Sequence, residues 1–391
     1  MLKDEALALQ DSISQVRQYL HAHPELSFEE KVTTAYLADK LREMNISVTT
    51  FPDHYGLLAE IGDKRKGKTV LLRADIDALP IVEKSGVPFA SKTEGRMHAC
   101  GHDGHTAMLL GAAKILKNHE QELQGRVILL FQSGEESGHG ANWYVNQGIT
   151  ENVDACFALH VQPTVPRGKI SLDPGYRTTS CTDFILTVNG TSAHGSTPHL
   201  GHDAIVAASA AIMNAQTLVS RVNDAQNPLV VTFGKITAGQ QFNIICDEVK
   251  IIGTIRTYDQ NVYREMPQKL LQLFQDTAKI YGCTASMEII TDEPMCCNND
   301  EVLLTAARQA AQKLWGNDVL YAMPSMMGSE DFAFFMDKVP GVLGFLGIGD
   351  EQHKEPLHSD HFVMDDTILY QGTGLYAQFA LDALNALKKE A

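Results

Sequence analysis

The sequence predicts an α/β fold in which a large α/β domain is interrupted by a smaller α+β domain. Three observations carry this. Short, wholly apolar runs alternate with segments of helical period up to about residue 175, the pattern of a layered α/β domain. Between residues 183 and 290 the order becomes strand, helix, strand, strand, helix, strand, which is the βαββαβ order of a ferredoxin-like split unit. After residue 300 helix and strand alternate again. The 391 residues fit two or three domains at a soft prior of about 150 each. The larger domain is expected at 1–177 and 296–391, and the inserted one at 178–295.

Taken in order, residues 7–20 place apolar side chains at helical spacing, and His23-Pro24 ends the segment. Residues 33–44 read as a second helix. Strands are expected at 56–61 and 69–74, across the charged turn 62–68. Asp103 or Thr106 is expected to cap a helix that runs to about Leu116. Residues 127–131 and 155–161 are short apolar runs, as strands buried on both faces should be, with a helix at 143–147 between them. In the inserted domain, strands are expected at 183–190, 229–236, 248–256 and 284–290, with helices at 202–218 and 262–281. A helix at 301–314, a strand at 341–346 and a closing helix at 368–387 complete the chain.

Composition narrows the function. Hydrophobic residues make up 44% and charged ones 20%, so disorder is excluded as the general state. Asp plus Glu number 48 against 32 Lys plus Arg, a net charge of −16. That argues against a nucleic-acid backbone or an anionic membrane as partner, since both need a basic face. Residues 1–10 lack the basic-then-apolar order of a secretory signal. The longest apolar run, 204–213, is far short of the roughly 20 residues a membrane span requires. Cys100, Cys156, Cys181, Cys246, Cys283, Cys296 and Cys297 are odd in number and irregular in spacing. Reduced thiols in the cytoplasm fit better than a disulfide framework.

The chemistry is concentrated in a few segments. Met97-His98-Ala99-Cys100-Gly101-His102-Asp103-Gly104-His105 holds three histidines, a cysteine and an aspartate in nine residues. In an extended segment Cys100 and His102 face the same way, and thiolate with imidazole is a common zinc-type pair. The bland alternative is a polar loop entering a helix. Glu135 and Glu136 follow a buried strand. Neighbours in extended backbone point apart, so one can ligate metal while the other faces substrate. A bare Glu-Glu pair is more often a solvated turn. His160 closes an apolar strand and His358 lies in a polar loop; alone, each reads as structural or surface. Together, thiolate, imidazoles and carboxylate suit zinc or a similar divalent ion, and their number exceeds the need of one tetrahedral ion. Two ions, which can hold a hydroxide and polarise a carbonyl, fit better.

These residues resemble the M20 metallopeptidase and amidohydrolase family. The likeness is strongest to its N-acyl-amino-acid amidohydrolase branch, which includes hippurate hydrolases and auxin-conjugate hydrolases. It is carried by His21-Ala22-His23-Pro24-Glu25, Arg73-Ala74-Asp75-Ile76-Asp77-Ala78-Leu79-Pro80, the segment 97–106, Gly134-Glu135-Glu136 and Ala158-Leu159-His160. Further along come Ser192-Ala193-His194-Gly195, Phe242-Asn243, Gly253-Thr254-Ile255-Arg256-Thr257, Gly328-Ser329-Glu330-Asp331-Phe332 and Leu357-His358. They span nearly the whole chain in the family's order.

The resemblance implies a dinuclear-metal catalytic domain and an inserted lid and dimerisation domain. It implies that Cys100, His102, Glu136, His160 and His358 hold two divalent ions, which could be Zn, Mn, Co or Ni. Glu135 would be the general base that takes a proton from the bridging water and gives it to the leaving amine. His194 would stabilise the oxyanion, in its own or a partner's site. Asn243 and Arg256 would bind substrate, Arg256 taking the carboxylate. One departure stands out: many members carry a metal-binding His two residues before Asp75, where this chain has Arg73. Asp75 then orients a ligand, and Asp103 either supports one or caps the helix. The expected activity is metal-dependent hydrolysis of an N-acyl-L-amino acid by a metal-bridged hydroxide, in a cytoplasmic homodimer. Rival readings are a dipeptidase or carboxypeptidase on the same scaffold, a cysteine hydrolase using Cys100, and a metal-storage or interaction protein.

Overall fold

A computed structural model of the chain describes residues 2–389. The elements in chain order are α1 (Leu2–Ala8), α2 (Gln10–Ala22), α3 (Lys31–Glu43), β1 (Ser47–Phe51), β2 (His54–Gly62), β3 (Lys68–Asp75) and α4 (His102–Asn118). Next are β4 (Gly125–Gln132), α5 (Gly140–Asn146), β5 (Ala155–Pro166), β6 (Ile170–Ser171) and β7 (Gly175–Tyr176). Then come β8 (Ser180–Asn189), α6 (Ala204–Thr217), β9 (Leu229–Ala238), β10 (Glu248–Thr257), α7 (Gln260–Ile280) and β11 (Thr284–Glu293). The chain closes with β12 (Cys297–Asn298), α8 (Glu301–Trp315), α9 (Ala333–Met336), β13 (Gly341–Gly349) and α10 (Leu369–Lys389). The fold is the mixed α/β type that the alternating pattern predicts, with a separate antiparallel sheet.

Two compact units result. The first comprises the chain up to Arg177, Cys297–Ser325 and the chain from Asp331 onward; the second comprises Thr178–Cys296 and Met326–Glu330. In the first, seven strands run in the order β1-β2-β4-β3-β5-β13-β6. The four central strands are parallel, and β2 and β6 flank them antiparallel. Residues 127–132 are all buried, as a central parallel strand requires. Residues Met108, Leu109, Ala112 and Ala113 of α4 join Phe157 and Leu159 of β5 and Phe379 and Ala380 of α10 in one core.

In the second unit the order is β11-β8-β10-β9, all antiparallel. Phe184, Leu186 and Val188 of β8 pack with Leu270 and Phe274 of α7 and with Ala207, Ala208, Ala211 and Ala215 of α6. A π-helical turn, Leu218–Val222, extends α6 beyond the apolar run seen in the sequence. The resulting stretch Ala204–Val222 is, among the described residues, the one helix long and apolar enough to cross a membrane by length and composition. Its alanine face lies in the core of this unit.

Candidate active site

Three parallel strands lead into the site. β3 ends on Asp75, β4 ends on Gln132, and β5 carries His160 two residues beyond Ala158, where its pairing with β3 stops. Carboxyl ends of strands are where open α/β sheets bind ligands. The apolar run does not end at His160: β5 continues to Pro166, because β13 still pairs with it after β3 has left.

Gly101, at φ +91°, turns the chain so that α4 begins on His102. The expected cap at Asp103 or Thr106 does not form. Asp103 accepts instead from Arg17 Nε and His21 Nδ1, each at 2.8 Å, and Thr106 Oγ1 donates to Asp75 O at 2.7 Å. Glu135 and Glu136 do not diverge as extended neighbours would. Glu135–Ser137 is a 3-10 turn between Gly134 and Gly138, both left-handed, and Glu135 Oε2 and Glu136 Oε1 each lie 3.8 Å from His102 Nε2. His358 arrives from its loop with φ +66°, and its N–H donates to Ala99 O at 2.8 Å. Its Nε2 is 3.3 Å from Cys100 Sγ and 3.5 Å from Glu136 Oε1. Cys100 Sγ is 3.5 Å from His160 Nε2. The five candidate ligands and Glu135 are thus brought together.

This donor set fits a divalent cation. His102 Nε2 and Glu136 Oε1 are buried without a hydrogen-bond partner. The other ring nitrogens are committed: His102 Nδ1 to Asp77 O at 3.0 Å and Oδ1 at 3.1 Å, and His160 Nδ1 to Val161 O at 2.6 Å. Such outer bonds orient imidazoles that ligate through Nε2. Burial works against a charged His102, yet Asp75, Asp77 and Glu136 raise its pKa to about 10, the signature of a field that favours a cation. The Cys100 thiol is pushed well up by burial and by Glu136 and Glu135. A nucleophilic cysteine needs the opposite, so the cysteine-hydrolase reading finds no support here.

Behind the ligands lies a buried ionic layer. Arg73 donates to Asp75 Oδ2 at 2.7 Å, to Asp331 Oδ1 at 2.7 Å and to Gln132 Oε1 at 2.8 Å. Asp75 Oδ1 takes His105 Nδ1 at 2.7 Å, and Val161 N donates to His105 Nε2 at 2.8 Å. Asp75 and His105 are committed to each other. The remaining site candidates stand on the second unit. His194 and Asn243 are neighbours there, Gly195 N donating to Asn243 O at 2.8 Å, and both side chains are exposed. Arg256 is the second-last residue of β10 and donates from Nε to Thr254 Oγ1 at 3.1 Å.

A match to peptidase family M20/M25/M40 covers residues 71–382. The chain is 37% identical over 366 residues to an N-acetyl-L-cysteine deacetylase of Bacillus subtilis, spanning 93% of this chain and 86% of that one. It is 36% identical over 371 residues to an IAA-amino acid hydrolase of Arabidopsis thaliana, spanning 93% and 85%. This chain belongs to peptidase family M20. A solved dinuclear metal-binding M20 peptidase from Bacillus subtilis shares its fold with a TM-score of 0.84 at 32% identity, over 97% of this chain and 99% of that one. The protein is accordingly an M20 hydrolase of amide bonds that uses divalent metal.

Sequence reasoning gave this M20 enzyme its ligand candidates but missed Asp77, which accepts from Glu136 N at 3.0 Å as well as from His102. Asp77 stands in the motif 73–80 that carries the resemblance, two residues past Asp75 at the mouth of a buried strand, but that placement assigns it no role. Asp331, which also accepts from Ala141 N at 2.8 Å, stands in the motif 328–332 that carries the resemblance, but no role followed from it because its partners lie far away in sequence.

Proposed function

We propose that this enzyme hydrolyses N-acyl-L-amino acids to a carboxylic acid and a free amino acid. The observation that carries the reading is the convergence of Cys100, His102, Glu136, His160 and His358 beside the carboxylate of Glu135. In this reading those five residues hold two divalent ions, with Zn, Mn, Co and Ni all compatible with the donors. When bound, the ions supply Lewis acidity for the scissile carbonyl and acidify the attacking water. Glu135 takes the proton of that water and passes it to the leaving nitrogen, a role suited to a carboxylate in a partly dry cleft.

His194 is assigned to the oxyanion, in its own site or in that of a partner chain. Ser196 N donates to His194 Nδ1 at 3.1 Å, which places the proton of a neutral ring on Nε2, where it can serve as a donor. Asn243 helps hold the substrate, and Arg256 offers its carboxylate a bidentate fork. The two relatives act, by name, on an N-acetyl amino acid and on IAA–amino acid compounds, which supports an acyl amino acid here.

We further propose a homodimer through the inserted unit. There β9 is an edge strand with Val230 and Ile236 exposed, and α6 exposes Ile205, Val206 and Met213. All seven cysteines are free thiols, which supports a cytoplasmic location. The deciding assay sets metal-reconstituted enzyme against N-acetyl and N-benzoyl amino acids and against dipeptides. Turnover of the acyl amino acids alone is expected; cleavage of dipeptides alone would make it a dipeptidase or carboxypeptidase on the same scaffold.

A further inference from the structure

The turn that carries Glu135 and Glu136 is a single 3-10 turn between two left-handed glycines and has little rigidity of its own. What holds it comes from about a hundred positions earlier, in the loop between α2 and α3. Glu30, fully buried, accepts from Ser133 Oγ at 2.6 Å and from Gly134 N at 2.9 Å, the two residues directly before Glu135. Phe28 has a left-handed backbone at φ +64°, which is rare for a bulky residue. Its ring lies so close over Gly134 that a Cβ there would sit 2.4 Å from Phe28 Cε1. Ser27 Oγ donates to Asp77 Oδ2 at 2.7 Å, and that same oxygen accepts from Glu136 N. The loop is itself seated by a bridge from Leu26 to Ala78 and by Ala78 N donating to Glu25 O at 2.8 Å.

These residues grip the turn on its leading side through Glu30, across Gly134 through Phe28, and on its trailing side through Ser27 and Asp77. We propose that residues 27–30 form a strap that holds Glu135 in place, with Glu30 as its positioning residue. The inference rests on Glu135 being the proton-transferring group. A strap kept only for packing would not need this composition. Burial, aided by Asp77, pushes the Glu30 carboxyl up to about 7 against the Ser133 hydroxyl and the backbone of Glu30 and Phe28, so the group is costly where it stands. Local cost combined with a strained Phe28, both beside a reactive turn, is the pattern of a device that fixes geometry.

The test uses the metal-loaded enzyme and compares Glu30→Ala, Glu30→Gln and Glu135→Gln by kcat, KM, bound metal and Tm. A displacement of about 1 Å costs on the order of 100-fold in rate. Glu30→Ala is therefore expected to lower kcat roughly 10- to 100-fold, with KM and bound metal unchanged. Glu30→Gln should recover most of that loss, because its amide oxygen can still accept from Gly134 N and its NH2 can donate to Ser133 Oγ. The proposal is overturned if Glu30→Ala keeps kcat within about twofold, or if its kcat falls only together with bound metal. Should Glu30→Ala fail to fold, Ser133→Ala decides: a kcat loss at constant KM supports the strap, and no loss overturns it. Near-normal turnover by Glu135→Gln would instead strike the base assignment, whatever Glu30 does.

Discussion

The two units treat their functional side chains in opposite ways. In the first, Arg73, Asp75, Asp77, His102 and Asp103 are no more than 2% exposed, and each makes two or more polar contacts. In the second, His194 and Asn243 are exposed, and Arg256 carries a single side-chain hydrogen bond. The difference fits the roles proposed for the two sets. Groups that orient candidate metal ligands work best when their own orientation is already fixed in a dry network. Groups that recognise substrate need hydrogen-bonding capacity left over for it. In the proposed reading, ordering that the first unit supplies through its fold would be supplied in the second by bound substrate.

Removing an ion-holding side chain should break this contrast most severely. His102→Ala is expected to lose bound metal and all measurable turnover, and exhaustive chelation of the unmodified enzyme should do the same until a divalent ion is returned. Turnover that resists chelation would sink the metal assignment. Glu135→Gln comes next, because it keeps the shape of the turn but removes the proposed base. Its kcat should fall about 10³-fold while metal content survives, within the range that proton transfer supplies. Metal analysis and steady-state kinetics on one preparation separate the two outcomes.

How much of this was legible in the sequence depended on burial. The central strands announced themselves because β4 and β5 are buried on both faces and read as unbroken apolar runs. β1 was missed because Ser47–Phe51 is an edge strand with no fully buried position. The ligand candidates were legible because thiol and imidazoles cluster at 98–105 and the remaining donors sit at the ends of recognisable elements or motifs. The support behind them was not. Ser27 meets Asp77 across 50 positions, Glu30 meets Ser133 across 103, and Arg73 meets Asp331 across 258. No local spacing encodes such pairs. The misplaced cap has the same root: Asp103 looked free to cap α4 until Arg17 and His21 were seen to claim it.

The second unit also buries the carboxyls of Glu293 and Glu330, and Glu293 sharpens the comparison by being poorly satisfied. Glu293 is 4% exposed, and its Oε2 has no hydrogen-bond partner. Burial, with Glu330 and Asp183 adding to it, raises its pKa from 4.5 to about 7 despite Ser329 and Arg256. In the first unit Asp77 and Asp103 are held low despite burial, by His102 and by Arg17 with His21 respectively. The signs therefore differ. A raised carboxyl contributes stability that is fully present below pH 4.5 and lost as pH rises through about 7. The depressed pair contributes stability at neutral pH that is lost on acidification. Glu293→Gln should thus raise unfolding stability at pH 8 by on the order of 3 kcal/mol and at pH 5 by less than about 1 kcal/mol. Urea unfolding at the two pH values checks this; equal effects at both would show that Glu293 is not the titrating group.

The smallest expected effect tests whether the second unit's spare capacity is used as proposed. Among the described residues Arg256 makes no ion pair and hydrogen-bonds through Nε alone, although its charge reaches Glu293, and the proposed reading gives its fork to a substrate carboxylate. Lys keeps the charge but presents a point donor in place of the planar fork. Arg256→Lys should therefore raise KM for an N-acyl amino acid about tenfold, roughly the loss of one charge-assisted bond, and leave kcat nearly unchanged. The control is the same substrate with its carboxylate converted to an amide. If Arg256 binds that carboxylate, parent and variant should handle the amide alike, because neither can use the interaction. A variant that loses equally on both substrates would place Arg256 in the support of the sheet, and the carboxylate would have to be met elsewhere.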